Sequence, residues 1–134
     1  MNEVKEFLSK NDVQFFATVG LDGKPKVRPF QFMLEEDGKY YFCTSNKKPV
    51  FEEIKKQPYV EVCCSSPDFS WLRLKGKVVF SRDMALKGKI QDASPLVKSI
   101  YKTPDNPDFE IFYLDEAEAT IADFSGNPAR TFRL

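Results

Sequence analysis

Histidine is absent from this chain. Its absence removes the ordinary general base near neutral pH, the Ser-His and Cys-His nucleophile systems, imidazole ligation of haem and most catalytic metal sites. Cysteine is scarce: Cys43, Cys63 and Cys64 are odd in number, and no CxxC spacing marks zinc or dithiol redox work. They read as free thiols in a reducing compartment, and no metal site is expected. Net charge is missing as well. Lys plus Arg and Asp plus Glu both number 20, so no overall field draws the protein to nucleic acid or to an anionic membrane. No apolar run reaches the roughly 18 residues of a membrane span, and the opening MNEVKEFLSKND lacks the apolar stretch of a secretion signal. A cytoplasmic address is the expectation.

What the chain does have is apolar and aromatic side chains. Hydrophobic residues make up 42% of the 134 and charged residues 30%, enough for one core, so residues 1–134 are expected to form a single domain. Thirteen Phe, five Tyr and one Trp suit pleated strands and the lining of ligand pockets. A β-rich fold follows, and without imidazole the reactivity is expected to come from a bound cofactor.

Periodicity then orders the elements. Val4, Phe7 and Leu8 recur at i, i+3 and i+4, predicting a short helix over residues 2–10. Gln14–Val19 is rich in β-formers and Leu21-Asp22-Gly23-Lys24 is hairpin-turn chemistry, so a second strand is expected over residues 26–34. On that strand Arg28, Phe30, Phe32 and Leu34 share one face, and Pro29 interrupts the ladder, marking an edge or a bulge. Glu35-Glu36-Asp37-Gly38 turns the chain into a third strand at 39–43, completing a meander. Pro49 opens and Pro58 closes a helix carrying Val50, Phe51 and Ile54. Strands over Tyr59–Ser65 and Trp71–Ser81 follow, and the second alternates most cleanly. Residues 82–101 are helical with a break at Ser94-Pro95, 109–114 and 118–124 are the last two strands, and 125–134 is a tail. The succession fits a mainly β fold, a closed antiparallel barrel with helices plugging its ends, better than an alternating parallel sheet.

Chemistry concentrates at Thr44-Ser45-Asn46-Lys47-Lys48-Pro49, where hydroxyls, an amide and two ammonium groups meet the free N–H groups of a helix start. Such a cluster suits a phosphate, because helix N–H groups and the positive end of the macrodipole both favour an anion. The same residues also suit plain capping by Ser45 or Asn46, with the lysines in water. Arg28, in a row of apolar neighbours, needs a partner; a phosphate would serve, and so would a position on the barrel rim with its head in water.

Taken in order, Gly23-Lys24-Pro25-Lys26-Val27-Arg28-Pro29-Phe30, Tyr41-Phe42-Cys43-Thr44-Ser45, Lys47-Lys48, Gln57-Pro58-Tyr59-Val60 and Trp71-Leu72-Arg73-Leu74-Lys75-Gly76 resemble the pyridoxamine 5'-phosphate oxidase-like split-barrel flavoproteins. The pattern is most similar to their short branch of nitroimidazole-resistance (Nim-type) reductases, over roughly residues 1–125. The resemblance implies a six- to seven-stranded antiparallel split β-barrel of Greek-key type, and a homodimer with FMN between the two barrels. It implies that Arg28 and Lys48, with Thr44 and Ser45, grip the FMN phosphate, with Lys47 beside them. Backbone around Pro29, Phe30 and Gln31, and around Phe42 and Cys43, would run along the isoalloxazine ring. Trp71 and Arg73 would approach from the partner subunit; by residue pattern alone, they equally fit a packed strand end and a solvated face.

The active-site histidine of the Nim branch and the C-terminal arginine-rich segment of the longer oxidases have no counterpart here. The activity implied is FMN-dependent electron transfer between a reduced nicotinamide and a small flat acceptor such as a nitroaromatic, with no side chain nominated as acid or base. Two other readings stay open: a module that binds or senses flavin or another cofactor without turnover, and an exchange of FMN for a deazaflavin, as in a deazaflavin-dependent reductase, or for haem, against which the lack of histidine weighs.

Overall fold

Asn2 starts the first helix by capping it. Its side-chain oxygen accepts the Lys5 N–H at 3.1 Å, and α1 (Glu3–Lys10) lays Val4 and Leu8 into the core. In the computed structural model, which describes residues 2–134, the chain continues as β1 (Gln14–Val19), β2 (Pro25–Phe30), β3 (Leu34–Glu36), β4 (Lys39–Ser45) and α2 (Pro49–Lys56). Then come β5 (Tyr59–Ser65), β6 (Trp71–Ser81), α3 (Met84–Ala93), α4 (Pro95–Tyr101), β7 (Phe109–Ala122) and β8 (Arg130–Arg133).

All pairings are antiparallel, in the order β2-β1-β5-β6-β7-β4-β3, with β8 added to β7. The two end strands, β2 and β3, are not paired to each other among the described residues. The sheet curls round a core without closing, which is a split barrel, and the expectation of a closed barrel is corrected accordingly. The expected meander is also corrected: β1–β2 and β3–β4 are separate hairpins at opposite ends of the sheet order.

The strand expected over 26–34 breaks after Phe30. Pro29 lacks a ladder N–H, and Gln14 takes over the broken backbone. This side chain is buried, accepts the Phe32 N–H at 2.7 Å, and donates to the carbonyls of Leu8 at 2.9 Å and Asn11 at 3.1 Å. Conversely, the strands expected at 109–114 and 118–124 are one strand. Its register against β6 slips between Lys75 and Lys77, and Glu116 adopts φ 52°, so a bulge bends β7 without ending it. Gly76 permits this, because a Cβ there would lie 2.9 Å from the Asp115 carbonyl oxygen. The expected tail contains β8, which pairs with residues 118–121 and packs Phe132 against the core.

Inside the barrel, Phe16 stacks on Phe30 at 4.5 Å and Phe42 on Phe112 at 5.8 Å. A second cluster joins Tyr41, Phe109 and Ile111 to Leu86, Ile90, Val97 and Tyr101. Helices α3 and α4 therefore cover the outer face of β4 and β7, and β4 is buried on both faces. Among the described residues, no helix is long and apolar enough to cross a membrane.

Candidate functional site

The segment between β4 and α2 is held by its polar side chains. Asn46 donates from its amide to the carbonyl of Pro107 at 2.7 Å and to Glu110 Oε2 at 2.8 Å, and its N–H reaches the Asp108 carbonyl at 3.0 Å. Ser45 Oγ accepts the Lys47 N–H at 3.1 Å. These bonds take both residues away from the helix start. The N-cap of α2 is Lys48, with extended backbone and no side-chain cap, and Pro49 follows it in the first turn. Capping by Ser45 or Asn46 is thereby excluded; the Phe51 N–H turns back to the Lys48 carbonyl at 3.1 Å and Pro49 has none, which leaves the Val50 N–H as the first-turn donor without a partner among the described residues, at the positive end of α2.

Two further features lie in the same segment. Thr44 is 2% exposed, and its Oγ1 has no hydrogen-bond partner among the described residues, an expensive state for a buried hydroxyl. Lys47 and Lys48 are exposed. On the other face of β4, burial pushes the Cys43 thiol up to about 12, partly offset by the Lys48 ammonium. Burial likewise pushes the Tyr101 hydroxyl up to about 12, with Cys43 and Asp108 adding to the rise. Both groups stay protonated at neutral pH, so Cys43 is no thiolate nucleophile.

Arg28 has protein partners that sequence reasoning missed. Its Nη2 donates to Glu53 Oε1 at 2.6 Å, and its Nη1 donates to Thr18 Oγ1 at 2.7 Å and to the Phe16 carbonyl at 3.2 Å. Thr18 in turn donates to the same Glu53 oxygen at 2.7 Å. The Arg28 side chain is 23% exposed and that of Glu53 8%. Glu53 stands one turn inside α2, so this network ties β1 and β2 to the helix whose bare end carries Lys48. The only sequence signal for it was a carboxylate beside Val50 and Ile54 on the helix stripe that turns inward.

The remaining expected residues divide between faces. Pro29 and Gln31 are exposed at the barrel edge, and Gln31 lines a hollow of about 280 Å³ with Leu8, Phe32 and Met33. Phe30 is half-buried on Phe16. The Phe42 ring is fully buried inside the barrel, and the Phe42 and Cys43 backbone pairs with β7. Trp71 packs on Phe124 at 5.0 Å, and Arg73 is exposed, donating from Nε to Glu61 Oε2 at 2.6 Å. Ser45 pairs with Phe109 at one end of the 14-residue β7, and Trp71 with Ala122 at the other. A strand of that length separates them by roughly 40 Å along its path. Within one copy, then, the structure brings Arg28 to α2, beside residues 44–48, and leaves Trp71 and Arg73 at the other end of β7 from residues 44–48.

The outer face of β2, β1, β5 and β6 is apolar for a surface. Phe15, Val19, Val27 and Tyr59 are all exposed on it, and Pro29, Phe15, Cys63 and Arg73 form one row across it. A hollow of about 670 Å³ elsewhere, between α1, the β5–β6 turn and the end of β7, takes in none of the expected site residues. Among the described residues, no group of three Cys, Asp or Glu could hold a metal ion.

Solved structures with this fold include a NimC/NimA family protein from Clostridium acetobutylicum. It shares 32% identity and a TM-score of 0.88, over 96% of this chain and 88% of that one. An FMN-binding, pyridoxamine 5'-phosphate oxidase-related protein from Nostoc punctiforme matches at 19% identity and TM-score 0.72, over 95% and 82%. A haem-binding protein from Mycobacterium smegmatis matches at 16% and 0.77, over 99% of this chain and 58% of that one. A search of curated sequences finds no match. The family model for pyridoxamine 5'-phosphate oxidase matches residues 1–122, and with the split barrel and the 32% identical relative it establishes that the chain belongs to the pyridoxamine 5'-phosphate oxidase family.

Proposed function

We propose that this protein is an FMN-dependent oxidoreductase acting as a homodimer, with a cofactor site at each junction between the two copies. The observation that carries the reading is the start of α2, which no side chain caps, in one segment with the buried, unpartnered Thr44 hydroxyl and with Lys47 and Lys48. A phosphate monoester fits that set of donors: its oxygens would accept from the Val50 N–H and from Thr44, and its charge would meet the lysines. Ser45 adds a hydroxyl, and Arg28 a guanidinium with one open edge. Pro29, Phe30, Gln31, Phe42 and Cys43 would run along the flat ring. Trp71 and Arg73, which lie at the other end of β7 from the phosphate segment of their own copy, would come from the partner, whose apolar face around Phe15 and Val27 would seat against its equivalent. When bound, FMN supplies hydride and single-electron chemistry between a reduced nicotinamide and a small flat acceptor such as a nitroaromatic. The residues of the chain bind, orient and shield it.

The visible spectrum of the protein reconstituted with FMN tests this reading. A bound flavin band supports it, and a protein that stays colourless with excess FMN removes it; a deazaflavin would show a different absorption band. Anaerobic mixing with NADH or NADPH then separates an oxidoreductase from a flavin-binding or sensing module. The module reading draws on the protonated state of Cys43 and Tyr101, which leaves neither poised as a base at neutral pH. Bleaching of the flavin within catalytic times decides for turnover.

A further inference from the structure

We infer that Glu53 is a positioning residue for cofactor phosphate binding, acting through Arg28; this rests on the FMN reading above. Arg28 is a long side chain that would lose much rotamer freedom on gripping an anion. Here that freedom is already gone. Three protein acceptors hold it: Glu53 Oε1 at 2.6 Å, Thr18 Oγ1 at 2.7 Å and the Phe16 carbonyl at 3.2 Å. Of the five guanidinium N–H groups, Nε–H and one on Nη2 have no partner among the described residues. The side chain retains 23% exposure. The clamp thus fixes the guanidinium while leaving donors for an oxyanion.

A role in stability alone accounts poorly for this arrangement. Helix α2 is already fastened to the barrel by Val50 and Ile54, which are 3% and 1% exposed. An ion pair this deeply buried contributes little net stability compared with apolar residues of the same size. Thr18 also accepts from Arg28 while donating to Glu53, so each of the three groups orients the other two. Because Glu53 and the bare helix start share one short helix, the clamp also sets the distance between Arg28 and Lys48.

The test compares FMN with riboflavin, which lacks only the phosphate, by fluorescence titration of the apoprotein. In the wild type, FMN binds more tightly. Glu53→Gln keeps the shape of the side chain and removes its charge; it should lower the FMN-to-riboflavin affinity ratio by about tenfold, the worth of one charge-assisted hydrogen bond, through FMN alone. In an Arg28→Met background the same change should leave the ratio unmoved, because no guanidinium remains to be held. Thr18→Val provides the same readout if Glu53→Gln does not fold. Equal losses for FMN and riboflavin, or a gain in FMN affinity, would overturn the inference. A ratio that Glu53→Gln leaves intact overturns it while the phosphate reading stands. A wild type with no preference for FMN over riboflavin overturns both.

Discussion

Arg28 carries a cost that its sequence neighbourhood hides. Removing it leaves the Glu53 carboxylate buried without its cation, so Arg28→Ala should destabilise the fold by about 3 kcal/mol in urea melts. Lys47→Ala with Lys48→Ala, both at exposed positions, should leave stability within about 0.5 kcal/mol and weaken FMN binding. That contrast separates fold from phosphate binding, which Arg28→Ala would confuse. Gln14 is a second such residue: Gln14→Ala removes three hydrogen bonds, two of them buried, and should cost about 3 kcal/mol by the same measurement. The buried thiols add a pH dependence. Cys43 and Cys64 are raised to about 12, chiefly by burial, whereas in the unfolded chain they would ionise near 9. The folded form therefore holds its protons more tightly: stability is fully present below pH 9 and is lost as pH rises toward 12. Melting temperature should fall steadily across that window. A thiol reagent at pH 8 should label Cys63, exposed in one copy, well ahead of the other two in a monomeric variant, and more slowly where a second copy covers the Phe15 face.

Local pattern made most of the elements legible. Proline at 49 and 58 bracketed α2, Ser94-Pro95 separated α3 from α4, and strict alternation marked β6. The misreadings share a cause, which is that long-range contacts overrule local cues. Residues 109–122 read as two strands because Asp115 and Glu116 interrupt the apolar pattern, yet β6 carries the pairing across them through a bulge. Gly76→Ala should test this, costing about 2 kcal/mol, since its methyl would press on the Asp115 carbonyl. The meander failed because hairpin turns fix neighbours only in pairs, and the partners of β1 and β4 lie far along the chain. The candidate site was legible in its residue types but not in its wiring. Nothing near Arg28 in sequence announces Glu53, 25 residues away, and nothing near Asn46 shows that Glu110 would draw it from the helix cap.

One copy holds Thr44–Lys48 and Trp71 apart, at opposite ends of β7. If a second copy unites them, disrupting the apolar face should abolish assembly and cofactor binding together. Phe15→Asp places a charge on a side chain that is 47% exposed, so the monomer should melt within a few degrees of the wild type. Gel filtration should show half the mass, and flavin should be lost. A monomer that keeps tight FMN would disprove the shared site.

The free borders of the sheet limit what such contact can become. Outermost β2 carries Pro25 and Pro29, and outermost β3 has three residues, two of them acidic. Proline offers no amide hydrogen, and a short acidic border repels its like. Neither can recruit another chain into a growing ribbon. If copies clasp by their flat sides, the adhesive surface is used up in a single handshake, and assembly would stop at two.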